Sequence, residues 1–121
     1  MSKAEEIQKG ISQLRLSVPE LRGVLLATTE GLPVAHALSD GLDPQRFAAM
    51  AAAAVNLAKK FGENLNSGPM AEISVTGSEA QIYIYAAGTK AILALAAPAS
   101  GNAGLIHLEA RAVARSFAQL F

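Results

Sequence analysis

The stretch from Asp43 to Leu65 constrains this chain more than any other. It opens with an aspartate suited to accept backbone N–H bonds as an N-cap. A proline follows at the first helical position, where its missing N–H costs nothing. Phe47, Met50/Ala51, Ala54, Ala58, Phe61 and Leu65 then recur at helical spacing, which predicts a long helix with one apolar stripe toward the fold. The opposite side does not become charged. Ala48, Ala49, Ala52 and Ala53 keep it small until Asn56, Lys59, Lys60 and Glu63 take over. A helix apolar on two sides needs two neighbours, its own sheet and something else, and a second copy of the chain is the favoured reading. The plainer alternative is idle surface filled with the best helix former, although idle surface ordinarily carries Lys and Glu.

Composition points the same way. The 121 residues fit a single domain (1–121) with a real core. Hydrophobic residues make up 51% and charged residues 17%, against about 25% charged in typical domains. A small domain with so few charges to cover itself is expected to bury an interface. No apolar run approaches the roughly 20 residues of a membrane span, and the N-terminus carries acids rather than a signal-peptide core. A cytoplasmic location without membrane insertion is therefore expected. Net charge is zero, so nucleic acid is not an expected partner. The absence of cysteine excludes disulfides, thiolate catalysis and zinc–thiolate sites.

Around the central helix the pattern alternates. Ser2 and Glu5 fit a capping box, and Ile7, Ile11, Leu14 and Val18 form the stripe of a first helix that Pro19 ends. Gly10 interrupts this helix at a cost of about 1 kcal/mol, which close packing would explain. Residues 23–29 read as a strand, Glu30-Gly31 as a tight turn and residues 33–38 as the returning strand, with proline tolerable on an edge. After the breaker cluster Asn66-Ser67-Gly68-Pro69, three strands follow in a meander, at 70–76, 81–86 and 90–96. The first alternates polar and apolar and suits an edge; the last is apolar on both faces and suits the centre. A final amphipathic helix from about Ala103 carries Ile106, Ala110, Val113, Phe117 and Leu120. Tight turns imply antiparallel pairing, and both sheet faces need cover. The expected class is α+β, a five-stranded antiparallel sheet sandwiched by three helices in the order α-β-β-α-β-β-β-α.

No arrangement for catalysis emerges. His36 and His107 stand apart, without clustered carboxylates, and read as structural or surface residues, His107 on the polar side of the last helix near Arg111. Gly-Ser-Glu at 77–79 is a hairpin turn rather than a nucleophile elbow, and no nucleotide-binding glycine motif is present. No catalytic, cofactor-binding or metal-ligating residue is expected. Lys59 and Lys60, with Arg46, form either a modest basic patch or simply a solvated helix end whose lysines suit the dipole.

Three places carry a family resemblance. Leu21-Arg22-Gly23-Val24 leads into Thr29-Glu30-Gly31-Leu32-Pro33-Val34-Ala35, a strand, an acidic-Gly-Leu-Pro turn and a strand. The long helix from Asp43 comes next. Asn102-Ala103-Gly104-Leu105-Ile106 then opens a last helix with Glu109-Ala110-Arg111. In this order they resemble the Roadblock family (the dynein light-chain roadblock type), here as a small free-standing prokaryotic member with a profilin/roadblock-like fold; Glu30 stands where Asp is commoner. The resemblance implies a non-enzymatic homodimer or heterodimer that regulates or scaffolds a Ras-like small GTPase, in some members stimulating hydrolysis, in others serving only as a structural subunit. It further implies that the first meander strand pairs with its partner copy and that the two central helices lie side by side as a docking surface. In this sequence the dimer contact would involve Ala48, Ala52 and Val55 of the helix and Met70, Glu72, Ile73, Ser74, Val75 and Thr76 of the strand. The docking face would present Arg46, Ala49, Asn56, Lys59, Lys60 and Glu63.

Overall fold

A computed structural model describes residues 1–121. The elements are α1 (Lys3–Ser17), β1 (Gly23–Thr28), β2 (Pro33–Leu38), α2 (Pro44–Leu65), β3 (Glu72–Thr76), β4 (Ala80–Ala87), β5 (Ala91–Pro98) and α3 (Ala103–Ala118). They build one antiparallel sheet in the order β2-β1-β5-β4-β3 between helices, as expected from the pattern. The all-apolar strand β5 lies at the centre, and the proline-led β2 and the half-polar β3 are the two edges. The third strand begins at Glu72 rather than Met70. Gly68, at φ +85, and Pro69 hold the chain in a loop just before it.

The helix ends follow the local signals. Ser2 and Glu5 form the reciprocal capping box, each side chain bonding the other's backbone N–H at 3.1 Å. Asp43 caps α2 through the Gln45 N–H at 3.0 Å, and Asn66 ends it in the left-handed region at φ 55. Asn102 caps α3 through the Leu105 N–H at 3.1 Å.

The two sheet faces are covered unequally. Five strands about 4.8 Å apart make a sheet roughly 20 Å wide, and a helix with its side chains is about 10 Å across. On one face α1 and α3 together bury Ile11, Leu14, Tyr85, Leu93, Ile106 and Phe117 in the larger core. On the other face α2 stands alone over Leu25, Ala27, Ile84, Ile92 and Ala94, and a single helix leaves the β3 side of that face open.

Gly10 joins the two helices of the covered face. A Cβ there would lie 2.6 Å from Phe117 Cε1 and 3.3 Å from Val113 Cγ1, and Phe117 is buried. Close packing thus outweighs helix propensity at this position. Gly10→Ala should lower stability by about 1–3 kcal/mol in spite of alanine's better propensity, read as a reduced urea midpoint at unchanged slope. A higher midpoint would show that the ring yields freely.

Candidate functional site

The helix that dominates the sequence meets its sheet through small residues. Ala48, Ala51, Ala52 and Val55 are its buried positions, and all but Ala52 belong to the core beneath it. Alanines let the helix axis approach the strands closely, and a large residue there would hold it off. The stripe of larger residues is turned toward β3. Phe47, Ala54 and Ala58 are half-buried, whereas Met50, Leu57, Phe61 and Leu65 are more than half exposed. The expected division holds in part: Phe47, Ala51 and Ala54 pack toward the sheet and Ala49 and Ala53 are exposed, whereas Ala48 and Ala52 are buried and Met50, Phe61 and Leu65 are not. Ala48 and Val55 are closed into the core beneath the helix and Ala52 is buried beside the Gly31 turn, so these three side chains offer little surface to a partner. The helix flank still open to a partner is the one with the large side chains.

Beneath this flank runs a groove of about 400 Å³. Phe47, Met50, Ala51 and Ala54 form its helix side, and Val75, Ile82, Ile84 and Ala96 its sheet side, with Asp43 and Arg46 as its charged members. Ile73 and Val75 of β3 share this face, and Val75 is 52% exposed. An apolar helix flank, an apolar groove and an apolar edge strand therefore adjoin one another.

The outer edge of β3 has its own backbone chemistry. Ala86 N–H donates to Ala71 C=O at 3.1 Å and Gly77 N–H to Ala80 C=O at 2.9 Å. Because ladder bonds alternate along an antiparallel pair, Glu72, Ser74 and Thr76 present their N–H and C=O groups outward. Among the expected contact residues, Ile73 and Val75 thus offer side chains on the α2 face, and Glu72, Ser74 and Thr76 offer backbone at the rim. Met70, half-buried, packs against the core under α2.

The other face of β3 is tied to α3 by a polar clasp. Arg111 donates from Nη2 to Glu72 Oε1 at 2.8 Å and from Nε to Glu72 Oε2, a two-pronged pair. His107, one helical turn earlier, packs edge-on against Tyr83 with centroids 5.0 Å apart. Its Nδ1 lies 2.8 Å from the Tyr85 hydroxyl and 3.9 Å from Glu72 Oε1. Burial pushes the Tyr85 phenol above its ordinary range. His107 therefore lies half-buried against the sheet rather than on the polar side of the helix. The Arg111–Glu72 link was not legible in the sequence, since 39 positions separate the two residues and no local pattern pairs them.

The residues expected to form a docking face are all exposed. Ala49, Asn56, Lys60 and Glu63 follow helical spacing along the flank opposite the groove. Arg46 lines the groove itself. Lys59 continues the line of Ala48, Ala52 and Val55, yet is exposed near the helix end. The interior holds no buried polar or charged residue, no group of three metal-ligating side chains occurs, and no helix is long and apolar enough to cross a membrane.

The sequence profile of the Roadblock/LC7 domain matches residues 7–97. The chain belongs to the Roadblock/LC7 family. No curated protein matches it in sequence. Among solved structures, this Roadblock domain is similar to MglB with tetrameric arrangement at a TM-score of 0.89 and 18% identity, covering 99% of this chain and 90% of that one. It is similar to a Roadblock/LC7 domain from Streptomyces avermitilis at 0.82 and 21%, covering 89% and 91%. A looser likeness, at 0.59 and 15% with 89% and 95% covered, extends to profilin II of Acanthamoeba castellanii. The shared architecture is the roadblock/profilin-like fold.

The hydrogen bond from Arg111 holds the Glu72 carboxyl below its ordinary value of 4.5. A carboxylate depressed in the folded state adds stability above its unfolded value, and that contribution is lost as the pH falls through the folded one. Arg111→Ala should accordingly flatten the decline of stability between about pH 5 and pH 3, measured by urea unfolding at a series of pH values. Parallel curves for the two proteins would show that the pair adds nothing to folding.

Proposed function

We propose that this Roadblock domain works as a homodimer in which β3 edges pair and the open α2 flanks face each other. In this arrangement the dimer is a non-enzymatic regulator or adaptor of a Ras-like small GTPase. The observation that carries the dimer is the coincidence of three unsatisfied features on one side: an uncovered half-face of sheet, exposed large apolar residues, and outward backbone groups on a short edge strand. Pairing two such edges supplies the missing backbone partners and makes one continuous sheet. It also brings a second α2 toward the strip of sheet that the first leaves bare. Burying apolar area of this kind gives about 25 cal/mol per Å², against the ordering cost of association. The solved MglB with tetrameric arrangement supports self-association on this scaffold.

The GTPase reading rests on family membership and on the surface that the dimer leaves exposed. With the apolar flanks turned inward, Ala49, Asn56, Lys60 and Glu63 point away from the seam, and Arg46 and Lys59 flank them. The face is polar and modestly basic, with Arg46, Lys59 and Lys60 against Glu63, suited to a partner surface that carries some acid. Charge here acts mainly on the rate and specificity of encounter.

Both parts have direct tests. Phe61→Glu and Met50→Glu should give folded monomers by light scattering, because each places a carboxylate in the apolar seam while touching no core residue. Ala52→Glu should instead unfold the chain, since Ala52 is only 5% exposed where α2 packs on the Gly31 turn. A wild type that is monomeric at tens of micromolar would refute the dimer. For docking, the double reversal Lys59→Glu/Lys60→Glu should weaken binding to the cognate GTPase roughly tenfold and make the remaining affinity less salt-dependent. Unchanged binding and hydrolysis would leave a purely structural dimerisation module.

A further inference from the structure

Neither the dimer nor the docking surface accounts for the clasp between β3 and α3. Glu72 is the only charged residue of β3, its backbone is among the groups left open on the outer edge, and its side chain is 29% exposed. A charge on an edge strand is a common device for keeping edges apart. Pairing of two copies about a two-fold axis through β3 would bring both carboxylates into the seam. Arg111 answers that charge from within the same chain, gripping both carboxylate oxygens. One turn earlier on α3, His107 is seated against Tyr83 and Tyr85 of β4, so the helix is held to the sheet beside the pair.

We propose that the Arg111–Glu72 pair decides whether β3 accepts a second copy of the chain, with the neutralised carboxylate permitting edge pairing and a bare one opposing it. The inference rests on the dimer reading and adds the residue that conditions it. In the isolated chain the pair is a surface one, with the Arg111 side chain 48% exposed, and such pairs add little to folding. When a partner strand covers Glu72, the carboxylate loses solvent, and an unpaired charge becomes costly. Arg111 therefore acts on association far more than on folding. It is a positioning residue that works through Glu72.

Sedimentation equilibrium on the full chain, with thermal unfolding as a control of the fold, tests this through wild type, Arg111→Ala, Glu72→Gln and the double variant. Arg111→Ala should raise the dimer Kd by about tenfold or more, and Glu72→Gln should dimerise at least as tightly as wild type. The double variant should return to within about threefold of Glu72→Gln. That rescue is a result which mere loss of packing by Arg111 would not produce. A dimeric wild type with an unchanged Arg111→Ala, or a double variant as weak as Arg111→Ala, overturns the clasp alone. A wild type that stays monomeric overturns the dimer reading and the clasp with it.

Discussion

The width of the sheet against the number of helices is the constraint from which the rest follows. Two helices cover a five-stranded face and one does not. α1 and α3 close one side around Leu14, Tyr85 and Phe117, while on the other α2 closes β1, β5 and Ile84 of β4 and leaves Ile73 and Ile82 only partly buried at its margin. The chain therefore folds with one half-face unfinished. Its helix leaves Met50, Leu57 and Phe61 exposed, with Met50 beside the exposed Val75 of β3 and Phe61 beside the chain that leads into Glu72.

That unfinished side coincides with a sheet edge, and the coincidence gives the surface its character. An exposed apolar patch or an open edge strand is each a liability by itself. Placed together they are complementary to another copy of themselves, since a two-fold operation presents edge to edge and flank to flank. Glu72 is the one residue of β3 that cuts against this arrangement, and Arg111 holds it from the opposite face of the sheet. Backbone, apolar side chains and charge are thus distributed over separate faces of one five-residue strand.

Much of the fold was legible because its signals are local. The Ser2–Glu5 box, Asp43-Pro44, the left-handed end at Asn66 and the turn at Gly31, with φ +96, each fix an element boundary through bonds spanning a few residues. Alternation set β3 on an edge and a continuous apolar run set β5 at the centre. Helical periodicity along α2 defines two apolar arcs without saying which one the sheet takes. Close helix–sheet approach selects Ala48, Ala51 and Val55, with Phe47 and Ala54 packed at the margin. Residue size, and not hydropathy alone, separates the outward line of Met50, Leu57 and Phe61 from the alanines that meet the sheet.

By itself, the sequence determined the elements, their order, the antiparallel pairing and the family, since each depends on short-range spacing or on motifs met in order. Only the tertiary structure decided which arc of α2 faces the sheet, that one half-face is left bare, and that Arg111 reaches Glu72. These depend on distances between elements far apart in the chain, and such distances are fixed by packing volume rather than by any repeat along it.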